Sequence, residues 1–458
     1  MNEHKKAAIQ KMKDEKLPES VINNFIRLLE QVEKGSTGFI REQEIKPLTT
    51  VEKYSELKEF EDLGVKNLNK LVFIKLNGGL GTSMGLDKAK SLIEVKPGLS
   101  FLDITANQLK IIQKKHEIKT PLMLMNSFST HEDTKSHLKK HEELEIFSFT
   151  QFKHPKIYSD NMMPANEKEN NLNWNPPGHG DIYLALLENK LLDELEKKGY
   201  EYIFISNSDN LGASIDTKIL GYLISKNMDF LMEVAERTAM DKKGGHLAFH
   251  NEKNKIILRE SAQCHIDDKE HFEDTKKHKY FNTNNIWVKI KSLKKVLKEN
   301  KGIIPLPLIR NEKTVDPKNP ETKKVIQIET AMGAAIELFN NSSAIMVPRE
   351  RFLPVKKTNE LLLLLSDLFE LNENYQLEFR GKKIPEIILD EKFYKFINHF
   401  KERIIKTPSL IECESLIIKG DFKFLENVKF VGKVILTNET KNQITLKNIT
   451  ISGEKLFS

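Results

Sequence analysis

Cysteine is nearly absent from this sequence. Its 458 residues include two cysteines, Cys264 and Cys413, which lie far apart in the chain. Two distant thiols argue against a disulfide framework and against a structural zinc site. A chain so poor in cysteine is typical of a reducing compartment.

Long apolar runs are also missing. The most apolar stretch, NELLLLLSDLFEL at 359–371, is well short of the roughly 20 residues that a membrane-spanning helix needs, so we expect a buried helix there. The N-terminus, MNEHKKAAIQKMKDEK, is polar and has no apolar signal core. These features predict a cytoplasmic protein with no membrane partner.

The charges are mixed along the chain, and no strongly basic face stands out. The 72 lysines and arginines nearly balance the 66 aspartates and glutamates, which leaves a net charge of +6. Lysine greatly outnumbers arginine, whereas direct reading of guanine bases relies on arginine. A mixed surface of this kind is typical of an ordinary globular protein, and we expect no nucleic acid among its partners.

The sequence does contain a regular alternation of short apolar runs with helix-like segments. Such alternation predicts βαβ units, an α/β fold and a largely parallel sheet. In sheets of this kind, ligands bind beyond the carboxyl ends of the strands. We predict strands over 71–76, 121–125, 145–149, 202–205 and 230–235, and helices over 102–116, 130–143, 182–198 and 216–227.

The two ends of the chain differ from this middle region. Residues 1–50 are charged and show the spacing of amphipathic helices, whereas 372–458 consists of short β-rich runs with no helical period. Short strands at even spacing are typical of a solenoid or a small β domain. We therefore predict a helical N-terminal segment (1–50), a central α/β domain (51–371) and a C-terminal β domain (372–458).

A glycine-rich loop, NGGLGTSMG at 77–85, follows the first predicted strand. Glycine lets backbone N–H groups approach an anion closely, and such loops hold phosphates. The loop is not a Walker A motif, because no Gly-Lys-Ser/Thr closes it, and it is not a strict G-x-G-x-x-G. Lys88 and Lys90 follow it and suit phosphate oxygens. We interpret the loop as a nucleotide-binding element; the alternative is a plain strand-to-helix turn.

Two polar segments adjoin predicted elements of the sheet. NPPGHGD at 175–181 is a rigid loop that carries an imidazole, which suits a sugar or a phosphate; the alternative is a turn in which Asp181 caps the next helix. SNSDNLG at 206–212 directly follows a strand. A carboxylate in that position suits a Mg²⁺ ion shared with substrate phosphates, and an Asx turn is the alternative.

Amide-rich segments occur later in the chain. FNTNN at 281–285 and QIETA at 327–331 combine donors and acceptors, as sugar hydroxyls require, although each is also compatible with a turn or a helix cap. His137 and His141 lie four residues apart on a predicted helix, which is a spacing seen in metal sites. No third ligand accompanies them, so we do not expect a metal there.

Taken together, these motifs resemble the eukaryotic-type UTP–glucose-1-phosphate uridylyltransferases, or UDP-glucose pyrophosphorylases. The resemblance implies a Rossmann-like, GT-A-like nucleotidyltransferase domain with a mixed, mostly parallel sheet, followed by a C-terminal left-handed parallel β-helix. The sequence departs from the family pattern at Asp87-Lys88-Ala89, where relatives often read Gly-Pro. The resemblance rests on KLNGGLGTSMG, LMNSF, NPPGHGDIY, NSDNLGA, FNTNN, ETAMGAAI and VPRERFLPVKKT, which follow one another between residues 75 and 358.

The same resemblance implies roles for individual residues. Lys90, Lys356 and Asp209 would be catalytic, with Asp209 as the Mg²⁺ ligand, and Lys88 would be a false twin of Lys90. The nucleotide would be held by Leu76, Asn77, Gly78, Gly79, Gly81, Thr82, Met125, Gln151 and Gly178, of which Met125 and Gln151 would lie by the uracil. The sugar and its phosphate would contact His179, Asn207, Gly245, Asn282, Asn284 and Glu329.

The implied reaction is reversible and Mg²⁺-dependent, and it converts UTP and glucose 1-phosphate into UDP-glucose and pyrophosphate. The sugar phosphate would attack the α-phosphorus of UTP in line, so no protein nucleophile is needed. Two alternatives remain: a broader UDP-sugar pyrophosphorylase, and a catalytically inactive sensor of nucleotide sugars. Family members range from monomer to octamer, which leaves open a homo-oligomer formed through the C-terminal domain.

Overall fold

A large mixed β-sheet forms the centre of the computed structural model, which describes residues 2–238, 241–317 and 319–458. Neighbouring strands along its main path are parallel, except that Tyr280–Lys289 runs antiparallel between its two neighbours. This confirms the predicted α/β class with a mostly parallel sheet. In spatial order the main path is Glu52–Lys53, Ser342–Met346, Phe230–Glu236, Tyr280–Lys289, Tyr202–Asn207, Leu71–Asn77, Leu122–Asn126 and Ile146–Thr150.

An antiparallel branch extends this sheet on one side. His246–His250 pairs with Lys255–Arg259 and, through His246 and Phe281, with the antiparallel strand of the main path. Ile45–Pro47 adds to the same branch from the N-terminal part of the chain. The N-terminal segment therefore contributes a strand as well as helices.

The strand Leu71–Asn77 shows why the central strands read as continuous apolar runs. All of its residues are buried. Val72 and Ile74 pack into one hydrophobic cluster, whereas Leu71 and Phe73 pack into another cluster on the opposite face. A strand that is covered on both faces needs apolar side chains at nearly every position.

Helices cover both faces of the sheet. Phe101–His116 and Thr217–Ser225 contribute to one hydrophobic cluster, and Ile182–Glu188 and Ile290–Glu299 contribute to the other. Among the residues that the structure describes, no helix is long and apolar enough to cross a membrane. The α-helices are Glu3–Asp14, Glu19–Glu33, Glu61–Lys66, Phe101–His116, His131–Leu138, Ile182–Glu188, Leu191–Lys197, Thr217–Ser225, Lys269–Glu273, Ile290–Glu299, Thr358–Leu365, Glu391–Tyr394 and Ile397–Arg403.

Two predicted helices are wrong in part. The segment 182–198 forms two helices instead of one, because Lys190 adopts a positive φ of 58° and breaks the helix without a Gly or Pro to mark the place. The segment 359–371 is helical only to Leu365. There the Ser366 hydroxyl donates a hydrogen bond to the carbonyl of Leu363, and the chain continues as the strand Phe369–Leu371.

The N-terminal helices pack beside the central domain on a small set of strands. Phe25 and Leu28 share a hydrophobic cluster with Ile157, Trp174 and Ile326. The shorter strands outside the central sheet are Glu94–Lys96, Leu99–Ser100, His154–Pro155, Ile157–Tyr158, Trp174–Asn175, Ile309–Thr314, Lys324–Glu329, Phe369–Leu371 and Leu377–Phe379.

The C-terminal region is built mainly from parallel strands stacked one on another. Successive passes of the chain pair in parallel, as expected for a solenoid-like β region. Two short helices, Glu391–Tyr394 and Ile397–Arg403, precede most of these strands within the predicted β domain. The strands are Glu386–Leu389, Ser409–Lys419, Phe422–Phe424, Val428–Asn438, Ile444–Leu446 and Ile449–Phe457.

The predicted boundaries at residues 50 and 371 stay predictions. One hydrophobic cluster crosses the second of them: Met84 and Phe101 of the central domain pack in the same core as Leu416 and Phe430 of the C-terminal region. The C-terminal region also contacts the far end of the glycine-rich loop, because a Cβ atom at Gly85 would lie 2.7 Å from the ring of Phe396.

Candidate active site

A cavity of about 340 Å³ opens where three central strands end. Leu71–Asn77, Leu122–Asn126 and Tyr202–Asn207 are parallel neighbours, so their carboxyl ends meet at one edge of the sheet. We call this space the glycine-loop cavity. Its lining residues are Leu76, Gly78, Gly79, Leu80, Lys90, Met125, Gln151, Pro176, Gly178, His179, Asn207, Ser208 and Asp209.

The glycine-rich loop folds back on itself and thereby brings Lys90 to the cavity. The backbone N–H of Lys90 donates to the carbonyl of Gly79 at 3.1 Å, which closes the loop. A Cβ atom at Gly78 would lie 2.8 Å from Nε2 of Gln151, so only glycine lets that amide pack so closely. A Cβ atom at Gly79 would meet nothing within 4 Å, which leaves its backbone open to a ligand.

Lys90 and Asp209 form an ion pair in the wall of this cavity. Each side chain is only 16% exposed, so the pair is partly shielded from solvent. Asp209 reaches this position because the chain turns directly after the strand Tyr202–Asn207, and Ser208 N–H bonds the carbonyl of Leu76 at 3.0 Å. Lys88 is exposed and does not line the cavity.

The NPPGHGD loop presents His179 to the cavity as a neutral donor. Its Nδ1 accepts a hydrogen bond from the backbone N–H of Met332 at 3.0 Å. Burial lowers the pKa of His179 to about 4. A neutral ring that accepts at Nδ1 carries its proton on Nε2, where it can donate to a ligand oxygen.

Gly178, next to His179, occupies a position that no other residue fits well. Its φ is +79°, and a Cβ atom there would lie 2.4 Å from the carbonyl oxygen of Thr330. The same atom would lie 3.2 Å from Cβ of Glu329, so Glu329 stands directly behind this wall of the cavity. Burial raises the pKa of Glu329 above its ordinary value.

The side chain of Asp181 is buried and bonds the backbone at Phe152 instead of capping the helix that follows. Its carboxylate accepts a 2.6 Å bond from the backbone N–H of Phe152, while its other oxygen is buried and has no hydrogen-bond partner among the described residues. Burial raises the pKa of Asp181 to about 7. The predicted alternative, a side-chain cap on the helix Ile182–Glu188, is wrong because no such hydrogen bond forms.

A second group of polar residues lies on the antiparallel side of the sheet. We call Gly245, Glu260, Asn282 and Asn284 the amide cluster. Nδ2 of Asn282 donates to Oδ1 of Asn284 at 2.9 Å and to Oε1 of Glu260 at 3.4 Å. A Cβ atom at Gly245 would lie 2.5 Å from the Glu260 carboxylate, so glycine is needed for this packing.

Glu260 was not among the residues singled out from the sequence. Burial raises its pKa, and the hydrogen bond from Asn282 and the charge of Lys356 oppose that rise. Lys356 lines one cavity together with Gly244 and Phe281, the chain neighbours of Gly245 and Asn282, so it lies on the side of the amide cluster. Nothing around Arg259-Glu260-Ser261 marks a site in the sequence; only the strand pairing brings Glu260 to Asn282.

Lys356 lies outside the glycine-loop cavity. It lines a different, mainly apolar cavity of about 420 Å³, which Phe281 and Phe352 also line. The structure therefore brings Lys90 and Asp209 into contact and leaves Lys356 on the side of the amide cluster. The predicted catalytic trio is not assembled in one cavity.

Three other residues predicted for the nucleotide do not line the cavity. Asn77 is buried, and its amide donates to Asn126 at 2.7 Å and to Thr134 at 2.8 Å, which joins neighbouring strand ends. A Cβ atom at Gly81 would lie 2.5 Å from Leu86, so this glycine serves the turn of the loop. Thr82 is exposed at the start of a short 3₁₀ helix.

Lys75 lies in the predicted strand 71–76, and its contacts in the structure go beyond that prediction. Its side chain is buried, with 1% exposure, and its ammonium donates to three backbone carbonyls of the segment that carries Asp209. Burial lowers the pKa of Lys75, whereas the charge of Asp209 opposes that shift and the three carbonyl acceptors favour the ammonium form. A lysine within the apolar run LVFIKL was the available signal.

The histidine pair on the helix His131–Leu138 and the following turn binds a carboxylate. Nε2 of His137 and Nε2 of His141 lie 3.0 Å and 2.8 Å from the same oxygen of the buried Asp103. Asp103 also accepts from the N-cap residue Ser100. The described part of the chain contains no group of three or more His, Cys, Asp or Glu side chains that could hold a metal ion.

A closed glycine loop, a lysine–aspartate pair and a neutral imidazole at the carboxyl ends of parallel strands define a nucleotide-binding α/β enzyme. A family model described as UTP–glucose-1-phosphate uridylyltransferase matches residues 22–430. A probable UTP–glucose-1-phosphate uridylyltransferase from Schizosaccharomyces pombe is 38% identical over 433 residues, covering 93% of this chain and 84% of that protein. The enzyme of that name from Encephalitozoon cuniculi is 36% identical over 442 residues, covering 95% and 87%.

Solved structures agree with this match. A mutant UDP-glucose pyrophosphorylase from Leishmania major in complex with UDP-glucose superimposes with a TM-score of 0.93 at 40% identity, covering all of both chains. A Trypanosoma brucei structure, described as a UDP-glucose phosphorylase, gives 0.90 at 41% identity, covering 99% of this chain and 100% of that one. This chain belongs to the UTP–glucose-1-phosphate uridylyltransferase family and is a nucleotidyltransferase.

Proposed function

We propose that this enzyme transfers the uridylyl group of UTP to glucose 1-phosphate, releasing pyrophosphate and forming UDP-glucose. The observation that carries the proposal is the Lys90–Asp209 pair facing the open backbone of Gly79 in one cavity. An amide-lined loop, a cation and a carboxylate together suit a polyphosphate and its counter-ion. The family membership supports the same substrates.

The chemistry requires little from side chains beyond charge and alignment. An anionic oxygen of glucose 1-phosphate forms a bond to the α-phosphorus of UTP while the bond from that phosphorus to the pyrophosphate oxygen breaks. Because one phosphoanhydride replaces another, we expect the reaction to run readily in both directions. The obstacle is repulsion between two polyanions, which Lys90 and the loop N–H groups would reduce.

The cavity walls suggest how each part of the nucleotide is held. Met125 and Gln151 flank the loop at neighbouring strand ends and would contact the uracil. The protonated Nε2 of His179 would donate to a phosphate or sugar oxygen, because the ring is neutral at physiological pH. Asn207 adds an amide beside Asp209 in the same wall.

Asp209 is the residue that we propose to hold Mg²⁺. Asp209 lines the cavity, so its carboxylate could bind an ion that is shared with substrate phosphates. Mg²⁺ characteristically takes one or two carboxylates and completes its coordination shell with phosphate oxygens and water. When bound, the ion would neutralise phosphate charge at the reacting centre. Lys90 now bonds Asp209, and a bound polyphosphate would offer this ammonium a second anionic partner.

The amide cluster and Lys356 are proposed to serve the sugar phosphate. Asn282, Asn284 and Glu260 supply the donors and acceptors that sugar hydroxyls require. Lys356 lines a cavity with Gly244 and Phe281, which adjoin Gly245 and Asn282 in the chain, and its positive charge would favour a phosphate there. Glu329 lies directly behind Gly178 and is also proposed to contact the sugar.

We also propose that the C-terminal stack is the left-handed parallel β-helix of the family and that a homo-oligomer forms through it. Parallel pairing between successive passes of the chain supports the solenoid. The last strand, Ile449–Phe457, is bonded on one side only among the described residues and exposes Leu456. Light scattering on the purified chain tests the assembly.

The test of the activity is pyrophosphate release by the purified chain with UTP and Mg²⁺. Glucose 1-phosphate, galactose 1-phosphate and N-acetylglucosamine 1-phosphate are compared side by side, with and without excess chelator. The proposal predicts release with glucose 1-phosphate that the chelator abolishes. Equal release with several sugars would widen the substrate, and UTP binding without release from any sugar would favour an inactive sensor.

A further inference from the structure

Lys75 makes an unusual set of contacts for a residue in the middle of a buried strand. Its ammonium donates to the carbonyl of Ala213 at 3.0 Å, that of Asn210 at 3.2 Å and that of Asn207 at 3.4 Å. An ammonium group has three protons, so these bonds use its whole donor capacity. Burying a cation in an apolar layer is costly unless such bonds compensate it.

All three carbonyls belong to one stretch of chain, 207–213. This stretch leaves the strand Tyr202–Asn207 and contains Asp209, but it forms no helix or strand of its own after Asn207. Its backbone therefore has few regular hydrogen bonds. In place of regular backbone hydrogen bonds, the Lys75 ammonium binds three carbonyls of the stretch 207–213.

The opposite side of the same stretch is also fixed. The amide of Asn210 donates to the carbonyl of Arg351 at 3.1 Å and accepts from the N–H of Leu353 at 2.9 Å. A Cβ atom at Gly212 would lie 2.0 Å from the carbonyl oxygen of Glu350, so the two backbones are in close contact. The stretch is held between Lys75 and 350–353, while Asp209 faces the cavity.

We propose that Lys75 is a positioning residue that holds the 207–213 backbone so that the Asp209 carboxylate stays in place for Lys90 and for a metal-bound polyphosphate. The inference rests on the proposed function for its consequence, but the structural effect is independent of it. Groups behind a metal ligand commonly change metal affinity or activity by about 10- to 100-fold when they are removed.

The test compares Lys75→Met with Ile74→Ala. Methionine keeps the length and volume of the stem and removes the ammonium. Ile74 is equally buried on the same strand, but it packs on the opposite face, away from 207–213, so its loss controls for general destabilisation. Two quantities are measured: amide hydrogen exchange of peptides covering 207–213, and the Mg²⁺ concentration for half-maximal activity.

We expect exchange in 207–213 to accelerate about tenfold or more in Lys75→Met and to stay near that of the wild type in Ile74→Ala. The half-maximal Mg²⁺ concentration should rise about tenfold in Lys75→Met alone. If Lys75→Met does not yield soluble protein, Lys75→Gln is measured instead, with the same direction expected.

Unchanged exchange in 207–213, or equal acceleration in both variants, would overturn the proposal. If amide exchange in 207–213 accelerates in Lys75→Met but the half-maximal Mg²⁺ concentration is unchanged, the proposal is also overturned. The position of the Asp209 carboxylate would then not depend on how this backbone is held. A wild-type enzyme without uridylyltransferase activity would refute the proposed function, and the exchange data would still decide whether Lys75 holds the segment.

Discussion

The glycine-loop cavity and the amide cluster are both polar, but their polar groups are arranged differently. In the cavity, the backbone of Gly79 and the side chains of Lys90, Asp209 and His179 face open space. In the amide cluster, Asn282 bonds both Asn284 and Glu260, so the polar groups largely satisfy one another.

Because their polar groups are arranged differently, the two regions would bind their ligands in different ways. The cavity has charges and N–H groups already aimed at one space, which suits an anion that needs several contacts at once. A ligand at the amide cluster must exchange existing hydrogen bonds for new ones, so its net gain for each bond is small. We therefore expect substitutions in the cavity to affect turnover most, and substitutions in the cluster to affect mainly one substrate's affinity.

The largest expected effect is that of Lys90→Ala. Removal of one charge aimed at the reacting phosphates should lower kcat by about 100-fold or more. Lys88→Ala is the matched control, because Lys88 is exposed and does not line the cavity. Steady-state kinetics on the two variants decide the matter: turnover near normal in Lys90→Ala, or equal losses in both, would remove Lys90 from the mechanism.

A smaller effect is expected from Gly178→Ala. The added Cβ would press on the carbonyl of Thr330 in a backbone with φ of +79°, which should displace His179 and raise the KM for UTP by about tenfold or more. Gly199→Ala is the control, since Gly199 has a φ of +89° and open space around its Cβ position. Similar kinetics for both variants would show that this wall of the cavity does not contact the nucleotide.

The smallest expected effect is on how the free energy of unfolding depends on pH, through the titration of Asp181. Its pKa is raised to about 7 in the folded protein, so the folded state binds a proton between about pH 4 and pH 7 that the unfolded state has lost. The free energy of unfolding therefore falls as pH rises through that range. Asp181→Asn keeps the acceptor for Phe152 N–H and removes the titration.

We expect Asp181→Asn to become more stable than the wild type as the pH rises from 5 to 8, by about 1 kcal/mol or more at pH 8. Urea unfolding at the two pH values measures the difference. A constant difference between the two proteins would mean that Asp181 is ionised throughout.

Much of the fold and half of the site follow from local sequence patterns. The five central strands predicted from apolar runs each begin within one residue of the observed start. Lys90, Asp209 and His179 line one cavity with Gly78 and Gly79, as expected when the carboxyl ends of parallel strands share one edge. The alternation of apolar runs with helix-like segments was sufficient for the strand positions, whereas the roles proposed for individual site residues rest on the family resemblance.

What the sequence could not predict depends on long-range contacts. The break at Lys190 has no Gly or Pro to mark it. Glu260 joins Asn282 only through antiparallel pairing, and Lys75 acquires its role only when 207–213 folds over the strand. Lys356 lies in the motif FLPVK, yet it lines a different cavity from Lys90 and Asp209.

The most direct test of the account compares Gln151→Ala with Asn282→Ala in full steady-state kinetics with both substrates varied. Gln151 packs against Gly78 in the cavity, and Asn282 is the centre of the amide cluster. We expect Gln151→Ala to raise the KM for UTP about tenfold, the size of one lost hydrogen bond, and to leave the KM for glucose 1-phosphate nearly unchanged. We expect Asn282→Ala to do the reverse. Equal changes in both KM values for both variants would contradict the division of the site into a nucleotide cavity and a sugar-binding cluster.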